Sequence, residues 1–203
     1  NMAEGIEIAL RECLDRVEGI VNVPDESVRV LNKIRLHPAR PSQINRPTEQ
    51  GVVGSRKILE LLCSATDNDV AICLFSGGGS ALLPYPVSGI TLEDKLSATE
   101  SLHRCGATIA EMNTIRKHLS AIKGGRLAEG FRGKLLLSLI ISDVIGDPLD
   151  IIASGPTTPD PSTFADCLEV IERYGIDKEL PQAVIAYLQN GVHAQHSETP
   201  KSL

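Results

Sequence analysis

The sequence predicts an α/β protein with a parallel, doubly wound sheet and helices on both faces, and three observations lead there. Val70 to Phe75, and the run LLLSLII that opens at Leu135, are continuous apolar stretches of strand length, the pattern of strands buried on both faces of a parallel sheet. Strand-like and helix-like segments alternate along the chain. With 203 residues, 42% of them hydrophobic, the chain is long enough for one domain with a sizeable core, and nothing in its middle reads as a linker.

In chain order, Ile6, Ile8, Ala9, Cys13, Leu14 and Val17 have the spacing of an amphipathic helix, with Arg11, Glu12 and Asp15 on its wet face. Short strands follow at Gly19 to Val23 and in KIRLHPA. The segment PARPSQINRPTEQG holds three prolines and no apolar period, so it reads as a loop. A helix begins near Thr48 or Glu49 and runs through Val53, Ile58, Leu59, Leu61 and Leu62. Leu92 to Arg104 and Thr108 to His118 are helical in pattern. LLLSLIISDVIGD, from Leu135 to Asp147, is a second buried strand ending in acidic residues. ASGPTTPDPST is a loop, Phe164 to Tyr174 and Pro181 to Leu188 are helices, and the polar tail from Asn190 is expected to be loose.

Composition removes several classes of function. The formal charge is -6, no Lys/Arg run is present, and there are no Trp, three Tyr and three Phe for base stacking, which argues against nucleic acid as a partner. Cys13, Cys63, Cys73, Cys105 and Cys167 are odd in number and form no C-x-x-C pair, so they read as small buried hydrophobes in a reducing compartment. No segment has the length of apolar sequence that a membrane helix needs, and no signal-peptide pattern opens the chain, so a cytoplasmic location is expected.

Ligands of doubly wound sheets sit outside the carboxyl ends of the strands, where two informative loops lie. Ser76-Gly77-Gly78-Gly79-Ser80 follows a strand directly. Without Cβ atoms, its backbone N–H groups can turn toward an anion, and Ser80 can bond a phosphate or carboxylate oxygen. The same residues would equally serve as a tight turn with no ligand. The run is neither a Walker A loop nor a G-x-G-x-x-G fingerprint. Asp143 and Asp147, at the end of the second strand, offer hard oxygen ligands of the kind Mg²⁺ takes beside a nucleotide, or are a solvated residue and a cap.

Two further segments carry polar groups. Helical spacing brings Asn113, Arg116, Lys117 and Ser120 onto adjacent faces, followed by Lys123-Gly124-Gly125-Arg126. This is a clamp for a carboxylate or phosphate, or a solvated charged face. His118 reads as a surface or core histidine rather than a base. Ser154-Gly155-Pro156-Thr157 offers hydroxyls and free N–H groups, or is a rigid turn.

Taken in order, S-G-G-G-S-A-L-L, N-T-I-R-K-H-L-S-A-I-K-G-G-R-L-A, S-D-V-I-G-D and I-A-S-G-P-T-T-P-D resemble the N-terminal domain of the glycerate 2-kinases whose C-terminal half is the MOFRL domain. Some members of that family are named hydroxypyruvate reductases. The resemblance covers roughly residues 35 to 190, with His37-Pro38 and the pair Asp94-Lys95 inside it. It implies a Rossmann-like three-layer α/β/α sandwich with a mostly parallel sheet, over residues 1–190, and a linker over 191–203 toward a MOFRL domain. It also implies ATP-dependent phosphorylation of D-glycerate at its 2-hydroxyl with Mg²⁺, a transferase of carbohydrate metabolism. Its partners would be D-glycerate, the nucleotide and the MOFRL half, with room for a homodimer and no role for nucleic acid or membrane.

Within that resemblance Asp143, Asp147, Arg116 and Lys117 are the catalytic candidates, and Asp143 and Asp147 also the metal ligands. Ser76, Gly77, Gly78, Gly79, Ser80, Asn113, Lys123, Ser154, Gly155 and Thr157 are the candidates for substrate or phosphate binding. The family's lysine in a G-x-G-K-A turn would precede Asn1-Met2-Ala3, so the expectation is a sequence truncated at both ends, with negligible kinase activity alone. The competing readings are a hydroxypyruvate reductase, which would need a nicotinamide site, and a ligand-binding domain of the same fold without catalysis.

Overall fold

The computed structural model describes residues 2–142, 146 and 148–203, and it is mixed α/β with every strand pair parallel. The chain forms two compact units, Asn1–Pro84 with Gly130–Asp143, and Tyr85–Glu129 with Val144–Leu203.

The first unit opens with helix α1, Met2–Ala9, and a 3-10 turn, Arg11–Arg16. The single amphipathic helix expected here is therefore broken. Cys13 has non-helical dihedrals inside the second piece, and Ala3 and Glu7, rather than the apolar residues beyond Ala9, are the buried positions. Glu7 accepts from the backbone N–H groups of Asn32, Lys33 and Ile34. Burial alone would raise its pKa; those donors outweigh it and hold the carboxyl at about 2. A buried carboxylate that gathers three amides fixes the entry into the second strand.

Strand β1, Gly19–Pro24, pairs in parallel with β2, Ile34–Arg40, from Gly19 opposite Ile34 to Val23 opposite Pro38. Helix α2, Glu49–Cys63, capped by the Thr48 hydroxyl on the Gly51 N–H, packs on this pair. The packing is close because Gly54 has no side chain: a Cβ there would lie 1.9 Å from Asn22 Oδ1. Asn22 Nδ2 in turn donates to the carbonyls of Gly51 (3.2 Å) and Leu82 (2.7 Å). Ala3, Val23, Ile34 and Leu36 form the core, with Ile6, Val17, Val21 and Leu74 against it.

Strand β3, Val70–Ser76, leads into the four-residue helix α3, Gly79–Leu82. It pairs in parallel with β4, Leu135–Ile141, and the register runs from Val70 opposite Leu135 to Ser76 opposite Ile141. Among the described residues the four strands form two separate pairs. The expected two-sided burial is not met. Val70 is half exposed, and Leu135, Leu137, Leu139 and Ile141 alternate along β4 with 43–60% of their surface in solvent. The apolar run is real, but the described chain lays no layer on that face of the pair.

The second unit is helical. Its helices are α4, Leu92–Arg104, α5, Ile109–His118, the short α6, Arg126–Glu129, α7, Phe164–Tyr174, and α8, Gln182–Val192. Thr91, Thr108 and Thr163 open α4, α5 and α7 with reciprocal capping boxes to Asp94, Glu111 and Asp166. Leu102, Ile115, Leu119, Phe164, Val184 and Leu188 fill the core between the helices. Helix α8 runs four residues beyond the expected end, and the tail is not loose. Thr199 is buried against Asp160, and Glu198 accepts from His118 and from the Phe164 N–H. Polar residues in this tail find buried polar partners, which composition alone does not show.

All five cysteines are free, as expected, but only Cys167 is buried and Cys63 is exposed. Burial pushes the Cys73 thiol up to about 11. No helix among the described residues is long and apolar enough to cross a membrane.

Candidate active site

In the first unit, the parallel register sets Ser76 opposite Ile141, so the chain leaves β3 and β4 at the same, carboxyl, end. Ser76, Gly77 and Gly78 are exposed there, and Gly79 and Ser80 are half-buried. Gly78 is left-handed at φ 74°, ψ 2°, a conformation glycine takes without a steric penalty. The turn is anchored from beneath, since Leu82 at the end of α3 receives the Asn22 bond described above.

Arg40, at the end of β2, was not among the expected site residues. Its Nη2 lies 4.0 Å from where a Gly78 Cβ would stand, beside the glycine turn. Nη1 donates to the carbonyls of Pro41 and Ile44, while the buried Nε finds no hydrogen-bond partner among the described residues. Its sequence signal was its place between two prolines at a strand end. The expected Asp143 and Asp147 lie outside the described residues, and among those described no three His, Cys, Asp or Glu side chains gather as a metal ion requires.

In the second unit, α5 carries Asn113, Arg116 and Lys117. Asn113 is buried and accepts from the Ser154 hydroxyl at 3.1 Å. Ser154 belongs to a backbone stretch in which Ala153 (φ 52°), Ser154 (φ 63°) and Gly155 (φ 58°) are all left-handed. For the two non-glycine residues this costs on the order of 1 kcal/mol each, and such strain concentrates at functional sites. The stretch is held by the Lys123–Arg126 turn: the N–H groups of Gly124 and Gly125 donate to the carbonyls of Ser154 (3.1 Å) and Gly155 (2.7 Å). Lys123 Nζ donates to the Ala153 carbonyl at 3.0 Å. Thr157 follows in the same loop, half-buried.

The cations of this unit divide into two groups. Lys117 is buried between two carboxylates, 3.3 Å from Asp160 and 3.5 Å from Asp150. Its charge, which the sequence offered for neutralising substrate, faces two carboxylates of the protein itself. Burial would raise the pKa of Asp160, but bonds from Ser162 and Thr199 and the Lys117 charge hold it below the ordinary carboxylate value. Arg126 Nη1 donates to the Lys117 and Ser120 carbonyls, closing the end of α5.

Among the described residues Arg116 and Lys95 form no ion pair with a carboxylate, and Lys123 lies close enough to feel both charges. Arg116 Nη2 donates to His103 Nε2 at 3.2 Å. Lys95, on α4, has a buried Nζ with no hydrogen-bond partner among the described residues. Burial, then the charges of Arg116 and Arg126, pull its ammonium down to about 7. Burial, then Lys95 and Arg116, lower Lys123 well below the ordinary lysine value. The spacing had singled out Arg116 and Lys123; Lys95 was seen only as half of a D-K pair. Asp94 does not pair with it, because its carboxylate caps α4 through Thr91. His118 is core, stacked edge-on to Phe164 and bonded to Glu198.

Comparison with known proteins places this geometry. The chain is 39% identical over 197 residues to a glycerate 2-kinase of Pyrococcus horikoshii, covering 95% of the chain and 43% of that protein. It is 47% identical over 156 residues to a protein of Agrobacterium vitis provisionally named a hydroxypyruvate reductase, covering 77% of the chain and 34% of that protein. A crystal structure of glycerate kinase from Thermotoga maritima superposes with a TM-score of 0.84 at 37% identity, over 100% of the chain and 46% of that structure. The chain thus spans less than half the length of these relatives. A family described as a domain of unknown function, DUF4147, matches residues 1–189, and the chain belongs to that family.

Proposed function

We propose that the chain forms the N-terminal part of a glycerate 2-kinase, which passes the terminal phosphoryl group of ATP to the 2-hydroxyl of D-glycerate. The observation that carries this reading is the parallel register of β3 and β4. It delivers the Ser76–Ser80 turn and the start of the Ser142–Asp147 segment at one end of the pair, the end where α/β sheets bind ligands. The identity to a glycerate 2-kinase along nearly the whole chain supports the choice of reaction.

Phosphoryl transfer asks the protein mainly for positioning and charge neutralisation. The 2-hydroxyl oxygen attacks the γ-phosphorus, the bond from that phosphorus to the bridging oxygen breaks, and ADP leaves with the electron pair. The hydroxyl proton passes to a carboxylate, for which Asp143 or Asp147 is the candidate. In this reading the amides of Ser76, Gly77, Gly78, Gly79 and Ser80 hold an anionic oxygen of either substrate. Arg116 and Lys123 offset developing charge, Asn113 and Ser154 orient the acceptor, and Gly155 and Thr157 shape the loop around it. Lys117 fixes the segment that carries Asp150 and Asp160. Asp143 and Asp147 are hard oxygen donors suited to Mg²⁺, which would supply charge neutralisation at the phosphates. A MOFRL half following residues 191–203, a cytoplasmic location and a homodimer complete the proposal.

The full-length protein, assayed by coupling ADP release to NADH oxidation, is expected to turn over D-glycerate with ATP and Mg²⁺. Arg116→Gln should lower kcat/KM by about a hundredfold. Turnover of hydroxypyruvate with NADH or NADPH, and none of glycerate with ATP, would favour the reductase reading that the Agrobacterium name suggests.

A further inference from the structure

We propose that Lys95 is an oxyanion ligand: with Arg116 and Lys123 it forms a cationic pocket in the helical unit that receives a carboxylate or phosphoryl group. The glycerate kinase reading enters only in saying which anion arrives.

Lys95 lies on α4, Arg116 on α5 and Lys123 in the turn before α6. They are close enough for the positive charges of Arg116 and Arg126 to act on Lys95, and those of Lys95 and Arg116 to act on Lys123. An ammonium removed from water needs an opposite charge or several hydrogen bonds, and costs stability without them. The other cations here each have at least one hydrogen-bond acceptor. Arg126 binds the carbonyls that end α5, Arg116 binds His103, and Lys123 binds the Ala153 carbonyl. Lys95 Nζ alone is sealed from solvent with neither a hydrogen bond nor an ion pair among the described residues. The nearest acid in sequence, Asp94, is committed to its cap.

A snorkelling lysine would bury its stem and leave the ammonium wet; here the ammonium is the part withdrawn. A purely structural lysine would be paired, as Lys117 is, 3.3 and 3.5 Å from two loop carboxylates of the same unit. Nothing among the described residues accepts from Lys95 Nζ, and a bound anion would both accept its hydrogen bonds and keep it charged. Carboxylate and phosphoryl oxygens are the two anionic groups that glycerate and ATP present, and both accept from ammonium and guanidinium donors.

The probe is inorganic phosphate, followed by calorimetric titration and by thermal melting of the full-length protein. Phosphate should bind and raise Tm in the wild type. Lys95→Met should weaken phosphate binding by about tenfold or more. Without phosphate it should melt above the wild type, because an unpaired buried charge has gone. Lys57→Met, on the exposed side of α2, should leave phosphate affinity unchanged. Displacement of bound phosphate by D-glycerate assigns the pocket to the carboxylate; displacement by a non-hydrolysable ATP analogue assigns it to the nucleotide. Wild-type phosphate affinity in Lys95→Met, or a wild-type Tm indifferent to phosphate, overturns the proposal. Phosphate binding through Lys95 in a protein that phosphorylates no glycerate would leave the pocket standing and remove the kinase reading.

Discussion

Lys95 and Lys117 sit on successive helices of one unit and meet opposite surroundings. Lys117 is 4% exposed with two carboxylates in reach, so removing its charge strands the fully buried Asp160. Lys117→Met should therefore cost about 3–5 kcal/mol of stability, the usual penalty for breaking a buried pair by removing one partner. Chemical denaturation would register this as a lower midpoint in the absence of any substrate. A variant that melts like the wild type but loses turnover would return Lys117 to the reaction itself. Helical spacing in the sequence put Asn113, Arg116 and Lys117 near one another, and that much was legible. Which cation is already neutralised was not, because Asp150 and Asp160 come from a loop over 30 residues away, and only folding brings them there.

At the scale of the element, the helices were the easiest part to read. Leu92–Arg104 and Phe164–Tyr174 have the expected bounds because apolar period and capping box agree on where each starts. Helix α5 shows what such a box does electrostatically. The Thr108 N–H and hydroxyl, then Tyr174, donate to Glu111, and with Arg173 they hold its carboxyl at about 2 against partial burial. Its folded pKa lies below the unfolded one, so the stabilisation is fully present above the ordinary value of 4.5 and is lost as pH falls from there toward about 2. Urea melts across that window should show a shallower acid loss for Glu111→Gln than for the wild type, with Glu7 supplying part of the slope that remains. Equal slopes would mean that the box does not survive in solution. The first helix was misread because its apolar positions continue past Ala9 while the backbone does not: the period describes a face, and the break at Leu10 has no side-chain cap to announce it.

Across the whole molecule, the α/β class and parallel pairing were legible from apolar run length and alternation. The division into two units was not, since each is assembled from two separate stretches of chain and the points of change carry no linker composition. Burial of β4 was also overread: an apolar run states that a face avoids water, not which layer covers it. Leu135, Leu137, Leu139 and Ile141 leave an apolar row in solvent, so the chain of residues 1–203 should bind a hydrophobic dye such as ANS. Leu139→Glu, at a position 44% exposed, should cut that fluorescence severalfold with little change in Tm. A large fall in Tm would show Leu139 packed in solution. The pairing of these strands also bears on synthesis. Val70 meets Leu135, so β3 leaves the ribosome and waits for about 65 further residues before its neighbour exists. During that interval its sticky backbone edge is open, and the helical stretch made in between can begin to collapse first. The order of translation thus makes β3 the segment that a chaperone would guard, and slow codons between Tyr85 and Glu129 would lengthen its exposure.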